Sequence, residues 1–201
     1  MKKISFPYAV PFFAGVILFS PGLSGCDLSV FSGAGKPGTP IDRKAGPVRL
    51  GMTVEELEAA TNVTEQTAGN PGLIEGERSF EIKRKAVPEG TRSIGLRFLN
   101  GRLYRITVDY FPNYFDDARW DALMEVTTGR YGKGWKQKMR MKKYPTELTT
   151  WEDEHTRMVL ERETRVRITR DQGAKNEYNV LMVLLDMPVW RAREKLEGGM
   201  F

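Results

Sequence analysis

The stretch "SIGLRFLNGRLYRITVDY", residues 93–110, decides the fold. Ile94, Leu96 and Phe98 alternate with small or polar residues, and so do Tyr104, Ile106, Val108 and Tyr110. Between the two runs stands Asn100-Gly101, the pair favoured where both central residues of a two-residue turn need positive φ. The pattern predicts two antiparallel strands with one buried face, joined by a type I′ turn.

The regions on either side follow the same logic. Upstream, "SFEIKRKAV" (79–87) reads as another strand, and "VRLGMTVEELEAATN" (48–62) as a short helix from about Val54 to Thr61. Thr53 is three residues before Glu56, the spacing of a capping box, and Met52 can pack on Leu57 as a hydrophobic staple. Downstream, residues 115–131 return to helical period: Trp120, Leu123, Met124, Thr127 and Tyr131 fall on one stripe. Asp116 and Asp117 suit the first turn of that helix, and Gly132 its stop. "LTTWEDEHTRMVLER" (148–162) reads as a hairpin turning at Glu152 to His155. "TRVRITR" (164–170) reads as a strand with Val166 and Ile168 inward. The continuous apolar run "YNVLMVLLDM" (178–187) suits a central strand, and Pro188 opens a short last helix that Gly198 can end.

The succession is helix, three strands, helix, three or four strands, short helix. It is the pattern of an α+β domain with antiparallel sheet and packed helices. It divides into halves at 48–112 and 113–201, each a helix plus about three strands, although residue identity between them is too low to establish a repeat.

The N-terminal segment has a different character. Lys2 and Lys3 precede the uncharged stretch 4–19, in which "FFAGVILF" (12–19) is the longest proline-free apolar run. That length suits the core of an export signal and falls far short of the roughly 20 residues of a membrane span. Next comes Leu23-Ser24-Gly25-Cys26, which holds the only cysteine. It resembles the lipobox of bacterial lipoproteins: an aliphatic residue, two small residues, then cysteine. The resemblance implies cleavage between Gly25 and Cys26, a diacylglyceryl group on the Cys26 sulfur and acylation, for example with palmitate, of the new amino terminus. Two or three acyl chains make a stable tether. A free thiol at Cys26 or an uncleaved anchor helix are the competing readings. Asp27 resembles the residue that retains such lipoproteins at the inner membrane in enteric bacteria, so the inner membrane is slightly favoured over the outer. Residues 26–47, rich in Gly, Pro and Ser, then read as the lipidated cysteine and a flexible linker, with 48–201 as the globular domain.

A second resemblance concerns "LGMTVEEL" (50–57), which opens a helix ahead of three strands. It is similar to the SmpA/OmlA-type lipoprotein domain of outer-membrane assembly, and the alternation of helix and sheet resembles the β-lactamase-inhibitor-protein fold. The likeness covers residues 48–110, and the second half has no counterpart in the first family. No binding residue carries over from it.

The chain has 201 residues, 40% hydrophobic and 28% charged, with a net charge of +5 and a pI near 9.3. Without Lys2 and Lys3 the mature chain keeps 29 basic against 26 acidic residues, mild for a nucleic-acid binder. One cysteine excludes an internal disulfide, and with one histidine it leaves too few soft ligands for a structural zinc site. No nucleophile, metalloprotease or phosphate-loop motif is present, and no catalytic, cofactor or metal residue is assigned. "EDE" (152–154) lacks the spacing of a calcium loop and reads as turn chemistry around a solvated His155. The strongest local signal is "KGWKQKMRMKK" (133–143), with six basic and no acidic residues. If extended, Lys136, Lys138, Arg140 and Lys142 share one face, continued by Lys143, with Met139 and Met141 on the other. Such a stripe suits anionic headgroups, an anionic envelope polymer or an acidic protein; it equally suits an edge strand protected by lysines. The expected function is that of a non-enzymatic binding or assembly module at the cell envelope, facing the periplasm or exterior, with no nucleic acid as partner. A small-ligand or lipid carrier and a carboxylate-based envelope hydrolase are the alternatives.

Overall fold

The computed structural model describes residues 39–66, 73–82, 87–139, 143–169 and 173–198. Gly25, Cys26, Asp27, Arg140 and Lys142 lie outside the described residues, as do Lys2, Lys3 and Met141.

A two-residue pair, β1 (Lys44–Ala45) with β2 (Val48–Arg49), precedes α1 (Val54–Ala60). Four strands follow: β3 (Val63–Glu65), β4 (Glu77–Ile82), β5 (Thr91–Leu99) and β6 (Arg102–Tyr110). Then come α2 (Asp117–Tyr131), β7 (Trp135–Met139), β8 (Thr146–Glu152), β9 (Thr156–Thr169), β10 (Gly173–Asp186) and α3 (Met187–Gly198). Strands β3 to β10 form one sheet in the order β3-β4-β5-β6-β10-β9-β8-β7, every neighbour antiparallel. The domain is α+β with antiparallel sheet, as expected. α1 is followed by four strands rather than the expected three, since the three-residue β3 was too short to register as a strand in the sequence; α2 is followed by four, within the three or four expected.

Local signals set the element boundaries. Asn100 and Gly101 have φ of 49° and 75°, as a type I′ turn requires. The Thr53 hydroxyl accepts from the Glu56 N–H while the Glu56 carboxylate accepts from the Thr53 N–H, closing the capping box. Asp116 caps α2 by accepting from the Arg119 N–H.

One face of the sheet holds the core. Phe80, Ile82, Ile94, Leu96, Phe98, Ile106, Val108, Met158, Leu160, Val180, Met182 and Leu184 are all buried in a single cluster. Leu57 from α1 and Trp120 and Leu123 from α2 close over them. Each such side chain contributes about 1.5–3 kcal/mol on leaving water. β10 is central, as its apolar run implies.

The structure departs from the sequence reading in four places. Residues 41–47 are not free linker: Ile41 and Ala45 are buried in the core cluster, the Ile41 N–H donates to Asp153 Oδ2 at 2.7 Å, and Arg43 pairs with Asp186. Two apolar residues among Gly and Pro were enough to seat this segment. Tyr104 does not share a face with Ile106 and Val108. A register shift opposite Arg97 and Phe98 puts Leu103 into the core and sends Tyr104 to the other side of the sheet. Residues 164–169 are no separate strand but the continuation of β9. Val166 and Ile168 keep the face of Met158 and Leu160 but are 63% and 81% exposed, because β9 and β10 overshoot their neighbours: β8 ends opposite Glu163 and β6 opposite Leu181.

Gly90 and Gly101 separate backbone strain from packing. Both have φ near +77° (79° and 75°), but a Cβ at Gly90 would lie 2.1 Å from the Tyr114 ring, and one at Gly101 would meet nothing. Gly101→Ala should cost about 1–2 kcal/mol, the left-handed penalty alone. Gly90→Ala should cost clearly more, because the Tyr114 ring stacked on Tyr110 must also move. Urea midpoints of the two variants test this; equal shifts would refute it.

Candidate functional site

The second face of the sheet is only partly covered. α3 follows β10 directly and returns across β6, with Trp190 6.1 Å from the Tyr104 ring. Leu99, Tyr104, Leu185 and Met187 are buried but stand outside the main cluster. The Glu77 carboxylate, fully buried, is the polar centre of this region. It accepts from the Tyr104 hydroxyl and from the Ile74 N–H at 3.0 Å; Arg193 of α3 lies at 3.4 Å and Arg97 at 3.7 Å. Arg193 also reaches Glu197 at 2.5 Å. Burial first, then the Glu77 carboxylate, pushes the Tyr104 hydroxyl up to about 12. This network fastens α3 to the sheet.

Beyond α3, no described element covers the second face over β6, β10, β9, β8 and β7. Register aligns its side chains in cross-strand rows. One runs Trp135, Thr150, Val159, Val183, Thr107, and ends at Gly95, whose missing Cβ would meet nothing. The next runs Gln137, Leu148, Glu161, Leu181, Asp109. Leu148, Val159, Leu181 and Val183 are only half-buried, and Trp135 is 68% exposed. A third row, toward α3, places Arg157, Leu185, Arg105 and Arg97 side by side. Arg105 is half-buried; desolvation first, and then Arg97, lower its pKa. The arrangement is an aliphatic strip bordered by guanidinium groups.

The basic stretch lies at the rim of this surface. β7 is the edge strand, and Lys136 and Lys138 are exposed on its opposite face from Trp135. Lys138 lies 3.8 Å from Glu147. Lys143 is exposed, its Nζ 5.3 Å from the Tyr144 ring. The two lysines of β7 therefore occupy the position of edge protection, although Trp135 beside them leaves an apolar residue on that edge. Among the acidic candidates, Asp153 organises the β8–β9 turn by accepting from the His155, Thr156 and Ile41 N–H groups. Glu152 pairs with Arg157 and Arg191.

Beyond Glu163 and Asn179, β9 and β10 pair only with each other and form a projecting arm. Its base is clamped. Arg162 lies 3.8 Å over the Tyr178 ring and 5.3 Å over Trp120, and it pairs with Asp117. Asn113 donates its N–H to the Tyr178 carbonyl and accepts from the Tyr178 N–H on its side chain. The open strip and the arm were missed by sequence reading. Alternation identifies the two faces of a strand, but not which face the rest of the chain leaves uncovered.

Among the described residues no group of three or more His, Cys, Asp or Glu side chains is placed to hold a metal ion, and no helix is long and apolar enough to cross a membrane. Comparison with protein-family models, with characterised proteins and with solved structures found no match.

The Glu77 network yields two expectations. Glu77→Ala should cost roughly 3–5 kcal/mol, the scale of a broken buried ion pair, by stranding the Tyr104 hydroxyl and removing an anion from Arg193. The neutral phenol is the folded form of Tyr104. Its contribution is complete below pH 10 and lost as pH rises toward 12. Urea titrations across that window should show a fall in stability that Tyr104→Phe flattens; an unchanged slope would refute the linkage.

Proposed function

We propose that this protein is a lipid-anchored envelope lipoprotein and that its domain is a non-enzymatic binding module, docking another envelope protein on the open sheet face. The observation that carries the reading is a pair of adjacent rows: one holds half-buried Val159 and Val183 and ends in Trp135, and the other holds Leu148 and Leu181 on either side of Glu161. A row of this kind can supply a desolvated centre with an aromatic anchor, the usual anatomy of a protein interface. Arg97 and Arg157 at its border already face Glu77 and Glu152, and Arg105 between them favours a partner that brings a carboxylate.

The tether in this reading is Cys26, with cleavage after Gly25 and with Asp27 favouring the inner membrane. Twelve residues of the proposed tether stand between Cys26 and Thr39. The chain then enters the domain beside the β8–β9 turn, where Ile41 bonds Asp153. Of the basic stretch, Lys136, Lys138 and Lys143 add positive charge at the β7 edge, and Arg140 and Lys142 lie outside the described residues. The finer reading of the fold also belongs here: the two halves derive from one helix-plus-meander unit. Its support is the mirrored strand order about the β6–β10 pair, with one helix ahead of each set of four strands.

Two measurements test this. A photocrosslinking residue at Leu181 or Val183 should give a discrete protein adduct in native membranes, and one at Glu58 of α1 should give none. Leu181→Lys should reduce an adduct formed from Val183 while thermal stability stays within a few degrees. Equal adducts from both faces would overturn the docking assignment. Radiolabelled palmitate should enter the wild type and not Cys26→Ser; equal incorporation would overturn the anchor.

A further inference from the structure

The overshooting arm carries a second surface. Its outer strand runs from Thr164 to Thr169, and among the described residues no strand pairs with its outer edge. The direction of the backbone groups follows from the hydrogen bonds at the base. The Thr164 N–H donates to the Pro145 carbonyl, away from β10. By strand alternation, the N–H and C=O groups of Val166 and Ile168 point the same way and meet no strand there. Pro145 precedes β8, so β8 stops short; the Tyr144 ring lies 4.8 Å from the Arg165 guanidinium at the start of this edge, and among the described residues no strand continues along it.

The side chains on this edge have a definite pattern. Val166 and Ile168 stand on one face of the ribbon with Ala174 and Asn176, and Arg165 and Arg167 stand on the other. Arg165 is balanced by Glu163 at 2.6 Å and by Glu177 directly opposite. Arg167 faces Lys175, a like charge. An incoming strand therefore meets apolar neighbours on one face and uncompensated positive charge on the other.

We propose that the outer edge of β9, Thr164 to Thr169, is a strand-addition site for an extended segment of a partner protein in which apolar and acidic side chains alternate. Main-chain bonds to Val166 and Ile168 supply affinity. Apolar side chains lie beside Val166 and Ile168, and a carboxylate beside Arg167. A second copy of this chain is a poor occupant. The antiparallel register that uses both free positions pairs Val166 with Ile168 of the other copy, is centred on Arg167 and sets Arg167 opposite its own counterpart. The tether's own membrane is also a poor occupant. β9 runs from the turn where the chain enters the domain to the arm, about 45 Å at 3.3 Å per residue, so the arm projects away from the entry point. The inference rests on the binding-module reading but concerns a different surface from the open sheet face.

The test uses the full chain in detergent micelles and two fluorescein-labelled heptapeptides, one alternating valine and glutamate, the other valine and lysine. Anisotropy should show the glutamate peptide binding at least ten-fold more tightly. Val166→Pro removes an outward N–H that β10 does not use, so it should weaken that binding ten-fold or more with the circular dichroism spectrum unchanged. Arg167→Glu, which leaves the backbone alone, should reverse the order of the two peptides. Leu181→Lys on the open face should change neither, which separates failure of this site from failure of the docking face. Equal binding of both peptides, or insensitivity to Val166→Pro and Arg167→Glu, would overturn the proposal. So would sedimentation as a dimer that Val166→Pro dissociates, or binding to phosphatidylglycerol vesicles that Arg167→Glu abolishes while neither peptide binds.

Discussion

The pairing of β10 with β6 is the constraint on which the rest of the structure depends. Five residue pairs, from Leu181 with Asp109 to Leu185 with Arg105, join two four-stranded meanders into one sheet. Without it each meander would have two open edges and half a core. With it, Val180, Met182 and Leu184 lie between Ile106 and Val108 on one side and Met158 and Leu160 on the other. The contact joins residues some 75 positions apart, so its loop-closure cost comes before any of the burial it enables. The same pairing creates the exposed features. It spans only the C-terminal part of β10, which leaves the N-terminal part of that strand free to extend with β9 as an arm.

Most of the architecture was legible because local chemistry and the final fold agree. Asn100-Gly101 needed positive φ and has it; Thr53 and Glu56 cap α1; Trp120, Leu123, Thr127 and Tyr131 form the buried stripe of α2. What was not legible depended on neighbours distant in sequence. Val166 and Ile168 alternate as inward residues would, yet inward has no meaning where no helix layer covers the strand. Tyr104 matches its hairpin's pattern, but one extra residue at the bulge reverses its face. Ile41 and Ala45 sit in Gly- and Pro-rich company and still anchor the start of the domain. Of the candidate site, the basic stretch was visible as charge, whereas its edge position came only from the sheet order. The open strip had no sequence signal, since Leu181 and Val183 belong to a run that is apolar on both faces.

Glu77 explains why the second face is divided rather than uniformly closed. A carboxylate without exposed surface is costly unless its oxygens are satisfied. Here Tyr104, the Ile74 N–H, Arg193 and Arg97 converge on it. Arg193 can do so only with α3 lying over β4 to β6, so the network fixes where α3 lies. A purely apolar contact would let the helix slide toward Leu181 and Val183. The polar network thus favours one placement over its neighbours, a use of buried charge that trades some stability for specificity.

The uncovered strip follows from that placement. α3 has twelve residues, about 18 Å at 1.5 Å per residue, while eight strands at about 4.8 Å spacing spread the sheet across more than 30 Å. One short helix held over the β4–β6 side leaves the β10–β7 side bare. The half-exposed aliphatic rows there are what remains of a two-sided apolar strand when only one side has a layer to pack on. A sheet left so in water invites edge pairing and face association. On the binding-module proposal, the arginines of the arm would bias those encounters toward acidic partners, and the lysines of β7 would protect its edge. Both surfaces then share one physical origin: charge placed beside apolar groups that no described helix covers.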